Sequence, residues 1–539
     1  MVKYTSAIKD FSGGLSEVAN DNIPDNRLVT AKNAIPGDGY GISRAMGTSV
    51  AFEQIPAEEP EPVVMLTELE DVNAITHIIA CTSTSTENGI RWHLWDWDGE
   101  EWTLGETSGG DSEIRPMLSW FVYANKLFWL DGNDFSCYDG SNIADVPNSQ
   151  SMDAIYWTQL TTSISVVQRN TRWFYATRDN EVIITDPGYY DKFTPTTNIK
   201  ITSGVADRIT ALHLFNEGIL IFQERNIYYL TGWDIAGSSD VKMVKLSVEC
   251  GTRWPKSIKT ISNAVLYLGD NGLYQLGIPY YTSSIAAKNI SEKQCSKRLT
   301  EMNAIDVYAE VFNGIYHIAL RAASGTIKEY RLYLDSGGWW GEYTQRPYCF
   351  ASKLGGDNHL YIGCENGYVL YYDENSYHYV ATETGGPAAI PVEIMTKGYD
   401  VVGRTVIDSK VKRVFLVLKQ YDAEHSGLTV QYKTDYLEGA YAAEVDSMHR
   451  VMTAVLQDIE GDESLVWDEG FWSKAYWGWI DTVTKQFQVN RKCKRIQFVF
   501  RDDNSDEPLL IYGVALLFKK KKAKGSRMGV TPRSISYKD

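Results

Sequence analysis

The stretch YLGDNGLYQL, residues 267–276, decides how the chain is read. Apolar residues alternate along both of its arms, and Asp-Asn-Gly lies between them. Gly and Asn tolerate the positive φ that a tight hairpin turn requires, so the segment reads as strand, turn, strand. The same grammar recurs in both directions. Further hairpins turn at Asn88-Gly89, Gly132-Asn133, Asp179-Asn180 and Arg225-Asn226 before Asn271-Gly272, and near Ser324-Gly325 and Asn366-Gly367 after it. Successive turns are 44, 47, 46, 46, 53 and 42 residues apart. A period near 45 with two clear strands, and room for two more, matches a four-stranded propeller blade. A small sheet of that kind buries both faces only when stacked between neighbours, which is a physical reason for the hairpin to repeat. A succession of hairpins in sandwiches is the competing architecture; it lacks a reason for so even a period. The expectation is an all-β chain with a β-propeller of about seven blades over residues 71–385, six or eight also being compatible.

Composition agrees with strands. Of 539 residues, 44% are hydrophobic and 22% charged, which is globular, and 34 Tyr with 16 Trp suit pleated, half-buried surfaces. No window approaches 18 uninterrupted apolar residues, and the opening MVKYTSAIKDFSGG lacks the basic-then-apolar layout of a secretion signal, so neither a membrane span nor a leader is expected. The seven Cys are scattered without a C-x-x-C pair and read as packed, reduced thiols.

Outside the periodic region the rhythm changes. Residues 1–70 are rich in Gly, Asn and Asp and end in the acidic, Pro-containing PAEEPEPVV, and they read as an extended arm. After ETGGPAAIP, residues 382–391, longer strands such as KRVFLVLKQY and LLIYGVALLFKK suggest a C-terminal β-sandwich over 386–518. Within it the loop VWDEGFWSKAYWGW, residues 466–479, concentrates Trp467, Trp472, Trp477 and Trp479, either as an interface or as packing over the sandwich end. A helix is expected from an N-cap at Ser291 to about Met302.

The charge is uneven. Residues 519–539 hold eight Lys or Arg against one Asp, a balance of +7, which leaves −24 on residues 1–518 out of the total of −17. An acidic body repels phosphate backbones. The basic run Lys519, Lys520, Lys521, Lys522, Lys524 and Arg527 reads as a flexible tail that docks on an acidic surface or only aids solubility.

Motifs for chemistry are sparse. There is no G-x-S-x-G, no G-x-x-x-x-G-K-[ST] and no H-E-x-x-H, so no enzymatic activity, cofactor or metal is expected. His77, His93, His213, His317 and His359 fall singly in strand-like stretches and read as structural. The segment WDWDGEEWT, residues 95–103, offers Asp96, Asp98, Glu100 and Glu101 as glycosidase-like carboxylates, but Asp98-Gly99 reads first as a turn with tryptophans packed around it.

Gly13-Gly14-Leu15-Ser16, Ala31-x-Asn33, the turn through Gly39 and Gly41, then Arg44 and Gly47, together with VECGTRWPKSIKTISNAVLYLGDNGLYQL (248–276) and YRLYLDSGGWWGEY (330–343), resemble the tail nozzle, or tail tubular B-like, and packaged-DNA stabilisation (hub) proteins of bacteriophages. The resemblance implies a structural protein of the virion tail, assembled in the host cytoplasm. It would form a ring of six copies, contacting neighbouring tail or adaptor proteins, through whose bore DNA passes during genome ejection without specific binding and with no small-molecule substrate. Gly13, Gly14, Asn33, Arg44 and Gly47 would be assembly residues. The alternative is a propeller that binds or degrades glycan in receptor recognition.

Overall fold

The computed structural model describes residues 4–18, 23–56, 61–86, 89–107, 112–194, 198–201, 207–232, 241–248, 250–278, 285–382, 385–401, 409–419, 428–434, 450–452, 482–502 and 508–520. Every one of the seven expected hairpins is present as the second and third strands of an antiparallel sheet, a four-stranded meander in six cases and three consecutive strands completed by a distant fourth in the seventh. The meanders lie at 63–104, 119–145, 163–200, 209–245, 259–289, 304–343 and 349–373, and are called blades 1 to 7 here. Six of them stand as separate four- or five-stranded sheets, and the meander of blade 6 continues into a ten-stranded sheet. The chain is an all-β propeller.

The second strand of each blade explains the repetition. Along Gly218–Gln223 all six residues are buried, as are four of five along Lys126–Leu130 and five of six along Arg172–Thr177. Both faces of these strands are covered, because side chains alternate between the two neighbouring blades. Phe174 and Ala176 pack with Leu212, Ile219 and Ile221 of blade 4, whereas Trp173 and Tyr175 pack with Phe128, Leu130 and Phe135 of blade 2. In the hairpin at 264–277, Tyr267 and Tyr274 are cross-strand partners whose rings stack at 5.5 Å against Phe222 of blade 4, while Leu266 and Leu268 face blade 6. The turns take the expected conformations, with positive φ at Asn180, Gly272, Gly325 and Asn366.

Closure comes from the other end of the sequence. Gly47–Val50 pairs antiparallel with Val369–Asp373 and supplies the outer strand of blade 7, so residues more than 300 positions apart lock the ring. Blades 7 and 1 then share a core in which Leu66, Ala80 and Trp95 meet Ala351, Tyr361 and Val369.

The arm and the C-terminal strands depart from expectation. A C-terminal β-sandwich over 386–518 as its own unit is not shown, and the arm is not unpaired. Leu28–Lys32 of the arm is inserted between Gly338–Tyr343, the last strand of blade 6, and Val392–Thr396, and the sheet runs on through Arg495–Asp502, Thr429–Thr434 and Arg450–Met452. Ala34–Pro36 and Ile42–Arg44 enter a second sheet with Leu510–Lys520, Ser409–Lys419 and Thr482–Cys493, and Tyr4–Ile8 pairs with the same Leu510–Lys520. Side chains of both sheets, among them Val411, Leu416, Val514, Ile394, Phe498 and Phe500, share one core with blades 5 and 6. Strand alternation showed that these segments were strands; it carried no information about which strand each would pair with.

The expected helix from Ser291 is shortened to Ser296–Glu301. The Ser291 hydroxyl does not cap it but accepts from the Leu273 amide at 2.9 Å, tying the helix to its blade. All seven cysteines are buried thiols.

Gly14 sits at φ +65°, and a Cβ there would overlap the carbonyl oxygen of Trp339, which accepts from the Leu15 amide at 2.7 Å. Gly14→Ala is therefore expected to destabilise the fold by roughly 2–4 kcal/mol through backbone strain and overlap. The urea midpoint measures it; an unchanged midpoint would show that the arm is not anchored at Trp339.

Candidate functional site

The residues singled out in the arm occupy successive crossings of that segment. Gly13 donates its amide to Asn26 O at 3.0 Å, and Gly14 bridges to Trp339 in blade 6. Asn33 lies where the arm leaves the ten-stranded sheet at Lys32 and enters the six-stranded one at Ala34. It has φ +50°, which Asn tolerates better than most residues. Its side chain is 3% exposed and holds both sides of the crossing: Nδ2 donates to Thr344 Oγ1 at 2.6 Å and Pro391 O at 2.8 Å, and Oδ1 accepts from the Thr344 amide at 2.7 Å.

Arg44 ends the next arm strand. It is fully buried and pairs with the equally buried Asp502 at 2.9 Å, while Nη1 donates to Ile390 O at 3.2 Å. The pair joins the arm to the strand Arg495–Asp502. Gly47 opens the strand that closes blade 7, where a Cβ would overlap His378 O and the amide donates to Ser376 O at 2.7 Å. The contacts described for these five residues lie within the chain and fix the placement of the arm.

Trp467, Trp472, Trp477 and Trp479 lie outside the described residues, as do Lys521, Lys522, Lys524 and Arg527. Lys519 and Lys520 are not the start of a tail. They end the strand Leu510–Lys520, in register with Lys410 and Ser409.

The carboxylates of WDWDGEEWT do not converge. Asp98 Oδ1 accepts from the amides of Glu100 and Glu101 at 3.0 and 3.1 Å, a turn closed by Gly99 at φ +106°. Asp96 is buried between His77 Nδ1 at 3.0 Å and the Tyr138 hydroxyl at 2.7 Å, and burial raises its pKa. Among the described residues no group of three or more His, Cys, Asp or Glu is arranged to hold a metal ion. His93 pairs with Glu61 at 3.3 Å and His213 with Thr260 at 2.7 Å.

Sequence reading missed two buried ionic features. In the first, Lys256, in the turn Pro255–Ser257 that enters blade 5, places Nζ 4.7, 5.5 and 5.9 Å from the ring centroids of Tyr308, Trp92 and Trp120. Those rings belong to blades 6, 1 and 2, so the lysine side chain reaches across from blade 5 towards three other blades; burial lowers its pKa. The lysine stands in a Trp-Pro-Lys-Ser turn that carries no charge pattern, and the rings around it come from three distant segments.

The second lies between blades 6 and 7, where apolar packing gives way to charge. Glu329 accepts from His317 Nδ1 at 3.0 Å, from Arg331 Nε at 2.8 Å and from the Tyr372 hydroxyl. The Arg331 guanidinium lies 3.8 and 4.4 Å from the ring centroids of Tyr343 and Tyr372. Burial by itself would raise the Glu329 pKa, but Arg331 and His317 outweigh it and hold the carboxyl at about 2. Burial lowers the His317 pKa. The alternation of Ile327-x-Glu329-x-Arg331 on one strand was the available signal, three inward positions of which two are charged.

No protein-family profile matches the sequence. No curated protein matches it either. Among solved structures the WD40 domain of Neurospora crassa Pan2 is 8% identical with a TM-score of 0.33, covering 58% of this chain and 89% of that one. BamB from Moraxella catarrhalis is 10% identical with a TM-score of 0.34, covering 69% and 99%. At these values the propeller assignment rests on the chain's own sheets.

The ionic cluster sets an acid limb of stability. Glu329 has a folded pKa of about 2 against the usual 4.5, so its contribution is complete above 4.5 and lost as pH falls towards 2. His317 adds in the same direction: its folded pKa lies below the usual 6.5, so the unfolded chain takes up the proton first as pH drops. Glu329→Gln is expected to cost about 3–5 kcal/mol at pH 7, as for other broken buried pairs, and to flatten the dependence below pH 4.5. Urea unfolding from pH 3 to pH 8 reads both effects; an unaltered slope would remove Glu329 from the acid limb.

Proposed function

We propose that the chain is a structural, non-catalytic component of a bacteriophage tail, a nozzle or hub protein that joins further copies of itself in a ring whose acidic channel passes DNA during genome ejection. The observation that carries this reading is the arm. The segments that bear the resemblance, Gly13-Gly14, Asn33, Arg44 and Gly47, are the ones that bind the propeller to the two C-terminal sheets, giving one stiff body from three parts of the sequence. Stiffness suits a part that bears load in an assembly and has no need of an opening cleft.

Charge supports the same reading. Residues 1–518 carry −24, so phosphates find little to neutralise them and DNA slides without being trapped. Lys256 Nζ lies near the rings of Tyr308, Trp92 and Trp120, so in this reading the channel is formed between copies of the chain.

Negative-stain electron microscopy and light scattering of the purified chain test this. Rings of six copies around an open hole are expected, with no retention of double-stranded DNA at low salt by a variant ending at residue 520, the last residue of the strand Leu510–Lys520. A monomer of 60.8 kDa at all concentrations, or tight DNA retention by that variant, would overturn the reading.

A further inference from the structure

Charge is segregated in this molecule more sharply than its total of −17 suggests. The six-stranded sheet formed by Tyr4–Ile8, Ala34–Pro36, Ile42–Arg44, Leu510–Lys520, Ser409–Lys419 and Thr482–Cys493 holds ten Lys or Arg and no Asp or Glu. Across the propeller the balance reverses. Residues 63–145, which contain blades 1 and 2, hold 15 Asp or Glu against three Lys or Arg, a net −12.

Of the ten cations Arg44 is buried against Asp502, but others lie on the outer face of the sheet. Along Ser409–Lys419 the inner face is apolar: Val411, Val414 and Leu416 join Val514 and Leu516 in the core shared with blades 5 and 6. Lys410 stands between the buried Ser409 and Val411 and so belongs to the opposite face, and Arg413 and Lys492 are exposed. Register sets Lys410 directly opposite Lys492 on one neighbouring strand and Lys519 on the other, three cations in one cross-strand row with Cβ atoms about 5 Å apart. Like charges placed in this way destabilise the sheet of an isolated chain. An acidic surface laid over them turns that repulsion into attraction.

The acidic pole is equally open. Glu100 and Glu101 stand exposed at the turn before the last strand of blade 1, and Glu106 and Asp145 at the outer edge of blade 2. The cationic sheet packs on blades 5 and 6, and blades 1 and 2 lie two or three places round the ring from them. The poles of one chain therefore do not cover each other, whereas the cationic pole of one copy fits the acidic pole of the next. A contact between unlike patches is heterologous, and repeated by rotation it closes a ring. Double-stranded DNA is the other polyanion that such a sheet would take, but the acidic blades of the same body repel it.

We propose that the outer face of this sheet docks on blades 1 and 2 of a second copy of the chain, with Lys410, Arg413 and Lys492 meeting carboxylates that include Glu100, Glu101 and Glu106. The contact deepens the ring reading and rests on it.

Light scattering of the full chain tests this with two triple variants. Lys410→Glu with Arg413→Glu and Lys492→Glu reverses the cationic face, and Glu100→Lys with Glu101→Lys and Glu106→Lys reverses the acidic one. Each variant by itself is expected to associate at least roughly tenfold more weakly than the natural chain, with its melting temperature unchanged. An equimolar mixture is expected to recover rings, because the two variants can alternate round an even number of places, and recovery shows that both are folded. Rings of the natural chain are expected to fall apart between about 0.1 M and about 1 M NaCl, as the screening length shrinks from about 10 to about 3 Å. Rings formed by each variant separately, or a mixture of folded variants that stays dissociated, would overturn the contact and leave the ring reading standing. A natural chain that stays monomeric would remove both. Retention of double-stranded DNA that the cationic-face variant loses, with its rings intact, would overturn the contact by assigning the sheet to nucleic acid.

Discussion

A small twisted sheet of four strands cannot bury both of its faces by itself, and the rest of this molecule follows from that constraint. The second strand of a blade is covered on both faces because it has two neighbours, as along Gly218–Gln223, where all six residues are buried. A row of such sheets still has two open ends. The chain removes them by returning Gly47–Val50 to the outer edge of blade 7 and packing blade 1 on blade 7 through Trp95, Tyr361 and Val369. The closing interaction therefore joins residues more than 300 positions apart.

The same segment that closes the ring also fastens it to the C-terminal strands. In fewer than 40 residues the arm touches blade 6 at Gly14, switches sheets at Asn33, pairs Arg44 with Asp502 and enters blade 7 at Gly47. Each crossing uses a residue type suited to its geometry. Glycine stands where backbone approaches backbone, asparagine where φ is positive and both amide atoms find partners, and arginine where a buried carboxylate waits. A fully buried arginine–aspartate pair specifies one arrangement of the arm more than it stabilises it, because removing two charges from water offsets much of their attraction.

Polar groups inside the propeller follow a different logic from the apolar blade junctions. Lys256 among three aromatic rings and Glu329 among His317, Arg331 and Tyr372 stand between blades. Glu329 accepts from His317, Arg331 and Tyr372 together, so its charge is matched inside the junction.

Much of the fold was legible in the sequence. Hairpin turns are local, since Asn, Asp and Gly at the bend and alternation on the arms act over about ten residues, and all seven appear as the middle hairpin of a blade. The turn at Asp98-Gly99 and the packing of the tryptophans beside it were local too. The helix after Ser291 was overestimated because a capping signal cannot show that the serine hydroxyl is already engaged by Leu273. Periodicity, turn chemistry and charge balance were thus set by the chain itself. Tertiary structure alone decided which strands pair across hundreds of residues and why Asn33 and Arg44 are buried, because a strand edge carries the same N–H and C=O groups whatever its sequence and accepts whichever partner the packed core brings to it.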